Sequence, residues 1–202
     1  MAVFCSRLGR LPKNEYTFLQ YIESSGTQYI DSGFVANQNT RVICRGTCPV
    51  SSVTNWLFGA RTSGTSNQFG FVASASGYYL ACYNTSQEAF QTSLNSSGLI
   101  TVDINKTVTT LTTDNGTGTV TCASGTFTCP KSLTLFAVNN NGSIGYGKVG
   151  ICFCKIYDNG TLVRDLWPAL RNADGAIGMY DKVTDRLFTN AGTDEFIVGV
   201  AA

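Results

Sequence analysis

The chain has 202 residues, with 14 Lys and Arg against 13 Asp and Glu and a formal charge of +1. Charged residues are only 13% of it, against roughly a quarter in ordinary domains, so no basic stripe is available for nucleic acid. It contains no histidine, which excludes Ser-His-Asp and Cys-His catalysis, the His-Glu-x-x-His zinc motif and any His-ligated metal unless a partner supplies the imidazole.

Residues 1–14 carry Arg7, Arg10 and Lys13 around Gly9 and Pro12 without a sustained period. They read as an extended arm able to lie on a neighbouring subunit. The stretch has no continuous apolar core of a secretory signal, and no run reaches the length of a membrane span. The expectation is synthesis in a cytosol, no membrane insertion and reduced cysteines.

From Glu15 onward the pattern is that of one all-β domain, residues 15–202. Strands are expected over 16–23, 27–31, 40–48, 55–61, 69–75, 78–83 and 89–94, separated by Gly, Ser, Thr and Asn. Leu99–Asn105 and Lys106–Thr113 meet at a tight turn, Asp114–Gly118 forms another, and Leu133–Asn139 (LTLFAVN) is a strongly apolar strand. The clearest unit is Lys148–Leu166 (KVGICFCKIYDNGTLVRDL), a hairpin about Asn159-Gly160, a pair that accepts the positive φ of a primed turn. Both alternating sets of its first arm, Ile151/Phe153/Tyr157 and Cys152/Cys154/Ile156, are largely apolar, which places it inside a layered structure. A two-residue turn sets Lys155 opposite Arg164, and a three-residue turn sets it opposite Asp165. Turn chemistry favours the first and charge pairing the second. Trp167-Pro168 should end the second arm, since proline cannot donate to a ladder. Short strands are expected again over 176–181, 186–189 and 196–200. The sum is a two-sheet antiparallel sandwich of twelve strands or more.

Two blocks, Leu11–Phe34 (LPKNEYTFLQYIESSGTQYIDSGF) and Lys155–Phe196, resemble the concanavalin A-like, LamG-type jelly-roll domains found in bacteriophage and prophage structural proteins of gut bacteria. Tyr21–Gly33, Cys154–Leu166, Gly178–Asp181 and Asn190–Thr193 carry the match, together with Phe58–Arg61 and Leu135–Asn139. The resemblance implies a jelly roll with an N-terminal arm. It also implies a virion role, as head-surface decoration, fibre or tail-associated module, oligomeric and bound to other virion proteins through the arm. A fold of this kind hosts lectins, glycanases and structural modules alike, so the chemistry has to be read from the residues.

Glycanases on such a fold carry carboxylates at alternate positions of one strand. No such run is present: Asp181 and Asp185 flank a turn, and Asp194-Glu195 are adjacent. No catalytic residue, metal site or cofactor is therefore expected. Eight cysteines are present, none in a CxxC knuckle. Buried thiols are the favoured reading, with Cys122–Cys129 as the best disulfide if any forms. Gly142–Lys148 fits part of a phosphate loop, but Val149 replaces the magnesium-binding hydroxyl and a strand comes next instead of a helix. Glycan binding is the chemistry left open, through aromatic rings stacking on sugars: Trp56, Tyr78, Tyr79 and Tyr146 above all, with Tyr83 and Trp167 beside them.

Overall fold

The computed structural model describes residues 15–200; the arm expected over 1–14, and Cys5 within it, lies outside the described residues. In chain order the strands are β1 (Tyr16–Phe18), β2 (Ile22–Glu23), β3 (Ile30–Asp31), β4 (Thr40–Thr47), β5 (Asn55–Arg61), β6 (Gln68–Ser74), β7 (Tyr78–Asn84), β8 (Ser86–Ala89), β9 (Leu99–Asn105), β10 (Val108–Thr113), β11 (Gly116–Thr121), β12 (Thr134–Leu135), β13 (Ala137–Asn140), β14 (Ser143–Tyr146), β15 (Gly150–Asp158), β16 (Thr161–Arg171), β17 (Ile177–Asp181), β18 (Arg186–Thr189) and β19 (Ile197–Val198). Among the described residues no helix is long and apolar enough to cross a membrane.

They form a jelly-roll-like sandwich of two sheets. The larger runs β11-β10-β9-β4-β15-β16-β17-β18, with β1, β2 and β19 joining at its sides; the smaller runs β14-β13-β5-β6-β7-β8, with β12 and β3 attached. One continuous core lies between them and draws on residues from Ile22 to Phe196. β4 shows why: strict alternation buries Thr40, Val42, Cys44 and Gly46 and leaves Arg41, Ile43 and Arg45 half-exposed. From the smaller sheet Phe58, Phe69, Phe71 and Tyr79 are fully buried, each contributing about 1.5–3 kcal/mol by leaving water.

The hairpin β15–β16 is interior, and it satisfies both sequence signals. Asn159 and Gly160 have φ of 47° and 84°, and Asp158 pairs with Thr161 across a two-residue turn. The register then shifts past Val163, so that Lys155 faces Asp165 after all, with Nζ 3.8 Å from Oδ1. A bulge supplies the residue that a longer turn would have supplied. A second bulge corrects the alternation of β15. The pairing with β4 steps from Ile151–Gly46 to Phe153–Arg45, so Cys152 is the extra residue and does not share a face with Cys154. Ile151 joins Cys154 and Ile156 in the core.

Other expectations need correction. Residues 89–94 are not a strand: the ladder stops at Ala89, and Thr92–Leu94 form a 3-10 turn. LTLFAVN is broken at Phe136, which holds φ of 65° with its ring 4.8 Å from that of Phe196. Consequently β12 runs antiparallel to β5, whereas β13 runs parallel to it. Pro168 does not end β16. Leu19 donates to its carbonyl, at the place where β16 exchanges β15 for β1 as neighbour. The pairing of β16 with β15 has already ended at Leu166, so the missing donor takes no bond from that ladder.

The two resembling blocks meet in space. Tyr29 N donates to Asn190 Oδ1 at 3.1 Å and Gln28 Nε2 to the Glu195 carbonyl at 3.0 Å. Ala191 N and Thr193 N donate back to Tyr29 and Thr27. Gly192 lies so close that a Cβ there would stand 2.1 Å from the Thr27 carbonyl oxygen. Ser24 and Gln28, both fully buried, complete the knot through a 3.0 Å bond. These motif residues hold the two ends of the domain together, an architectural task.

Candidate functional site on the outer face of the smaller sheet

A bulge opens this site. β5 and β6 pair Trp56 with Val72 but Phe58 with Phe71, leaving Leu57 as the extra residue. Trp56 and Phe58 would otherwise share a face. Instead Phe58 enters the core, and Trp56 joins Val72, Cys82 and Val138 in a second apolar cluster with Leu80 packed against it. That cluster lies on the side of the sheet away from the sandwich interior.

The indole lies across two glycines. A Cβ at Gly59 would fall 2.9 Å from Trp56 Cε3, and one at Gly70 would fall 3.3 Å from Cζ3. Gly59 and Gly70 are register partners, so together they make a bare strip on which the ring rests. Arg61 covers the indole, its guanidinium carbon 5.2 Å from the ring centroid. The result is a cleft of about 240 Å³ lined by Thr54, Trp56, Arg61, Val72, Ser74, Leu80 and Gln87. Beside it Gln87 Nε2 donates to Gln68 Oε1 at 3.0 Å, and Gln68 donates to the Ser86 carbonyl at 3.1 Å. This amide ladder fixes the Gln87 head. No carboxylate lines the cleft.

Gly70 gives a direct test of this packing. A Cβ there would also come within 2.5 Å of the Phe58 carbonyl oxygen and 2.8 Å of the Gly59 Cα. Gly70→Ala should destabilise the fold by ~1–3 kcal/mol through overpacking, read as a fall in the urea midpoint. An unchanged midpoint would show that the strands do not approach as described.

The aromatic residues expected from the sequence separate into distinct groups. Trp56 is in the cleft, though only 6% exposed. Tyr78 is the register partner of the lining residue Ser74 and stands half-buried on the same face. Tyr79 is wrong as a stacking residue: it is fully buried, its ring 5.4 Å from Phe71 and its hydroxyl donating to the Ser96 carbonyl. Strand alternation turns Tyr79 inward when Tyr78 faces out. Tyr83 is likewise buried, against Phe127 and the Gln38 carbonyl. Tyr146 is 39% exposed and pairs with Tyr29 at 6.1 Å, but it is not in the cleft. Trp167 belongs to the larger sheet, where Lys182 Nζ sits 4.1 Å from its ring centroid and Nε1 donates to Asp165.

Arg61 and Gln87 were not singled out by the sequence. The available signal was glycine at interior strand positions, in NWLFGAR and QFGFVAS, which marks close approach to the sheet.

The other groups weighed from the sequence have structural partners. Asp181, fully buried, accepts from Asp165 N, Val183 N and Thr184 Oγ1 and lies 3.7 Å from Arg164 Nε. Asp185 accepts from the Tyr180 hydroxyl, and Asp194 from Thr27 Oγ1. Cys122 and Cys129 do not bridge: Cys122 Sγ faces the Ala81 carbonyl and Cys129 Sγ the Asn67 carbonyl, both as buried thiols. Among the described residues no three His, Cys, Asp or Glu side chains converge on a metal-sized site.

No protein-family model matches the chain, and no curated protein does. A solved structure of scytalido-glutamic peptidase with a peptide-based transition-state analogue is similar over 92% of this chain and 99% of that one, at 15% identity and a TM-score of 0.39. At that score the likeness carries no argument about this chain.

Proposed function

We propose that this chain is a non-enzymatic structural module of a bacteriophage virion, on the head surface or tail, whose open face on the smaller sheet adheres to glycans of the host surface. The observation that carries the adhesive part is the cleft itself. It combines apolar floor residues with hydroxyl, amide and guanidinium groups and has no carboxylate along its lining. Convergent hydrogen-bonding groups over an apolar floor recognise a hydroxylated ring. Most glycoside hydrolases work with two carboxyls about 5–10 Å apart, and the lining carries none. The virion part rests on the resemblance of the two terminal blocks, with residues 1–14 as the segment that joins other virion proteins or further copies of the chain.

Two measurements test the reading. Mass spectrometry of particles purified from lysates of the encoding strain should detect the protein, and its absence from particles would remove the virion role. On a broad glycan array the chain should bind, and Ser74→Trp, which fills the cleft, should abolish that binding with the urea midpoint preserved. A null across the array would remove the adhesive role.

A further inference from the structure

We infer that the ligand of this cleft is an acidic sugar, held by its carboxylate on the Arg61 guanidinium, with Gln87 and Ser74 meeting ring hydroxyls. The inference rests on the glycan-binding reading and narrows it. Stacking, the mode expected from the aromatic content, is not open to Trp56. One face of its indole lies on Gly59 and Gly70, and the guanidinium covers the ring from elsewhere in the cleft. The groups left to meet a ligand are the cation and its polar neighbours.

Arg61 is prepared for that task. It forms no ion pair among the described residues, and the one hydrogen bond of its side chain runs from Nη1 to the Gly64 carbonyl at 3.1 Å. Its Nε is buried without a partner, as is Oδ1 of Asn140, the residue that pairs with Arg61 across β5 and β13. A guanidinium held against an aromatic face has surrendered its rotamer freedom before any ligand arrives. Its planar fork matches a carboxylate through two parallel bonds, and no Asp or Glu in the lining competes for it. The volume, about 240 Å³, falls below the roughly 300–1,000 Å³ of drug-sized pockets, which suits one sugar residue of a polymer.

The test uses the full chain on an array of uronic-acid and sialic-acid glycans, each beside its methyl ester, with neutral glycans and sulfated glycans as further arms. Carboxylated glycans should bind, methyl esterification should weaken them tenfold or more, and rising salt should weaken them further. Arg61→Gln should give the same loss as esterification and no further loss when the ester is used. Arg61→Lys, which keeps the charge and loses the fork, should fall between. Near-ultraviolet circular dichroism and the urea midpoint of each variant establish that it is folded. Equal binding of acid and ester, or of neutral glycans, in a manner blocked by Ser74→Trp overturns this inference and leaves the glycan-binding reading standing. Preference for sulfated over carboxylated glycans, or wild-type binding by folded Arg61→Gln, also overturns it. Binding to no glycan on the array overturns both.

Discussion

Replacing Asp181 by Ala lowers the unfolding free energy by ~3–5 kcal/mol, the usual cost of deleting one partner of a buried ion pair, and Asp181→Asn lowers it by roughly half of that. The carboxylate is fully buried. Oδ1 accepts the Asp165 and Val183 amides at 2.7 and 3.1 Å, and Oδ2 accepts Thr184 Oγ1 at 2.8 Å. Alanine leaves those donors unsatisfied and leaves Arg164, whose other bonds run to backbone carbonyls, without its counter-charge. Asparagine keeps an oxygen for the two amides and loses only the charge and the second acceptor. The knot joins β16 to the β17–β18 turn, so its loss should loosen that edge of the larger sheet first. Urea unfolding gives the magnitudes and amide exchange gives the location. A loss under ~1 kcal/mol for the alanine variant would place Asp181 among the exposed turn carboxylates, contrary to its environment here.

The second large effect is an alkaline loss of stability. Burial pushes the thiols of Cys48, Cys82 and Cys129 up to about 12 from an ordinary 9.0. Below pH 9 native and unfolded chains both keep these protons, and the stability is present in full. Above it the unfolded chain ionises while the native chain does not, so the unfolded state binds fewer protons and stability falls as pH climbs toward 12. Each thiol contributes a slope of about 1.4 kcal/mol per pH unit, and three together give ~4 kcal/mol per unit between roughly pH 9.5 and 11. Urea midpoints measured under reductant from pH 7.5 to 10.5 should hold level and then drop. The drop should shrink in the triple variant Cys48→Ala, Cys82→Ala, Cys129→Ala. A level profile to pH 10.5 in the wild-type chain would contradict the burial of these cysteines as protonated thiols.

Much of the fold was legible because the strongest signals are local. Asn159-Gly160 fixes a primed turn whatever surrounds it, and the alternation of Val42 and Cys44 against Arg41 and Arg45 assigns both faces of β4. The bulges were not legible. Each adds one residue to one strand and thereby exchanges the faces of every residue beyond it. Lys155 meets Asp165 only because Val163 is extra, Ile151 enters the core only because Cys152 is extra, and Trp56 leaves the core only because Leu57 is extra. The last of these creates the candidate site. Its second half, Arg61 over the indole, depends on Gly59 and Gly70 lying side by side, and register partners eleven residues apart in sequence are not apparent until the hairpin is paired. Pro168 misled for a related reason. The rule that proline ends a strand holds where the N–H is needed, and β16 changes neighbours at that residue.

The central claim is that the open face of β5, β6 and β7 binds ligand. Its most direct test is nuclear magnetic resonance mapping with the glycan that binds best on the array. Shifts should concentrate on the Trp56 indole N–H, the Gln87 side-chain amide, the Arg61 Nε–H and the backbone of Ser74 and Leu80. Shifts concentrated at Tyr146, at Trp167 on the larger sheet, or on residues 1–14, with the cleft signals unmoved, would contradict it.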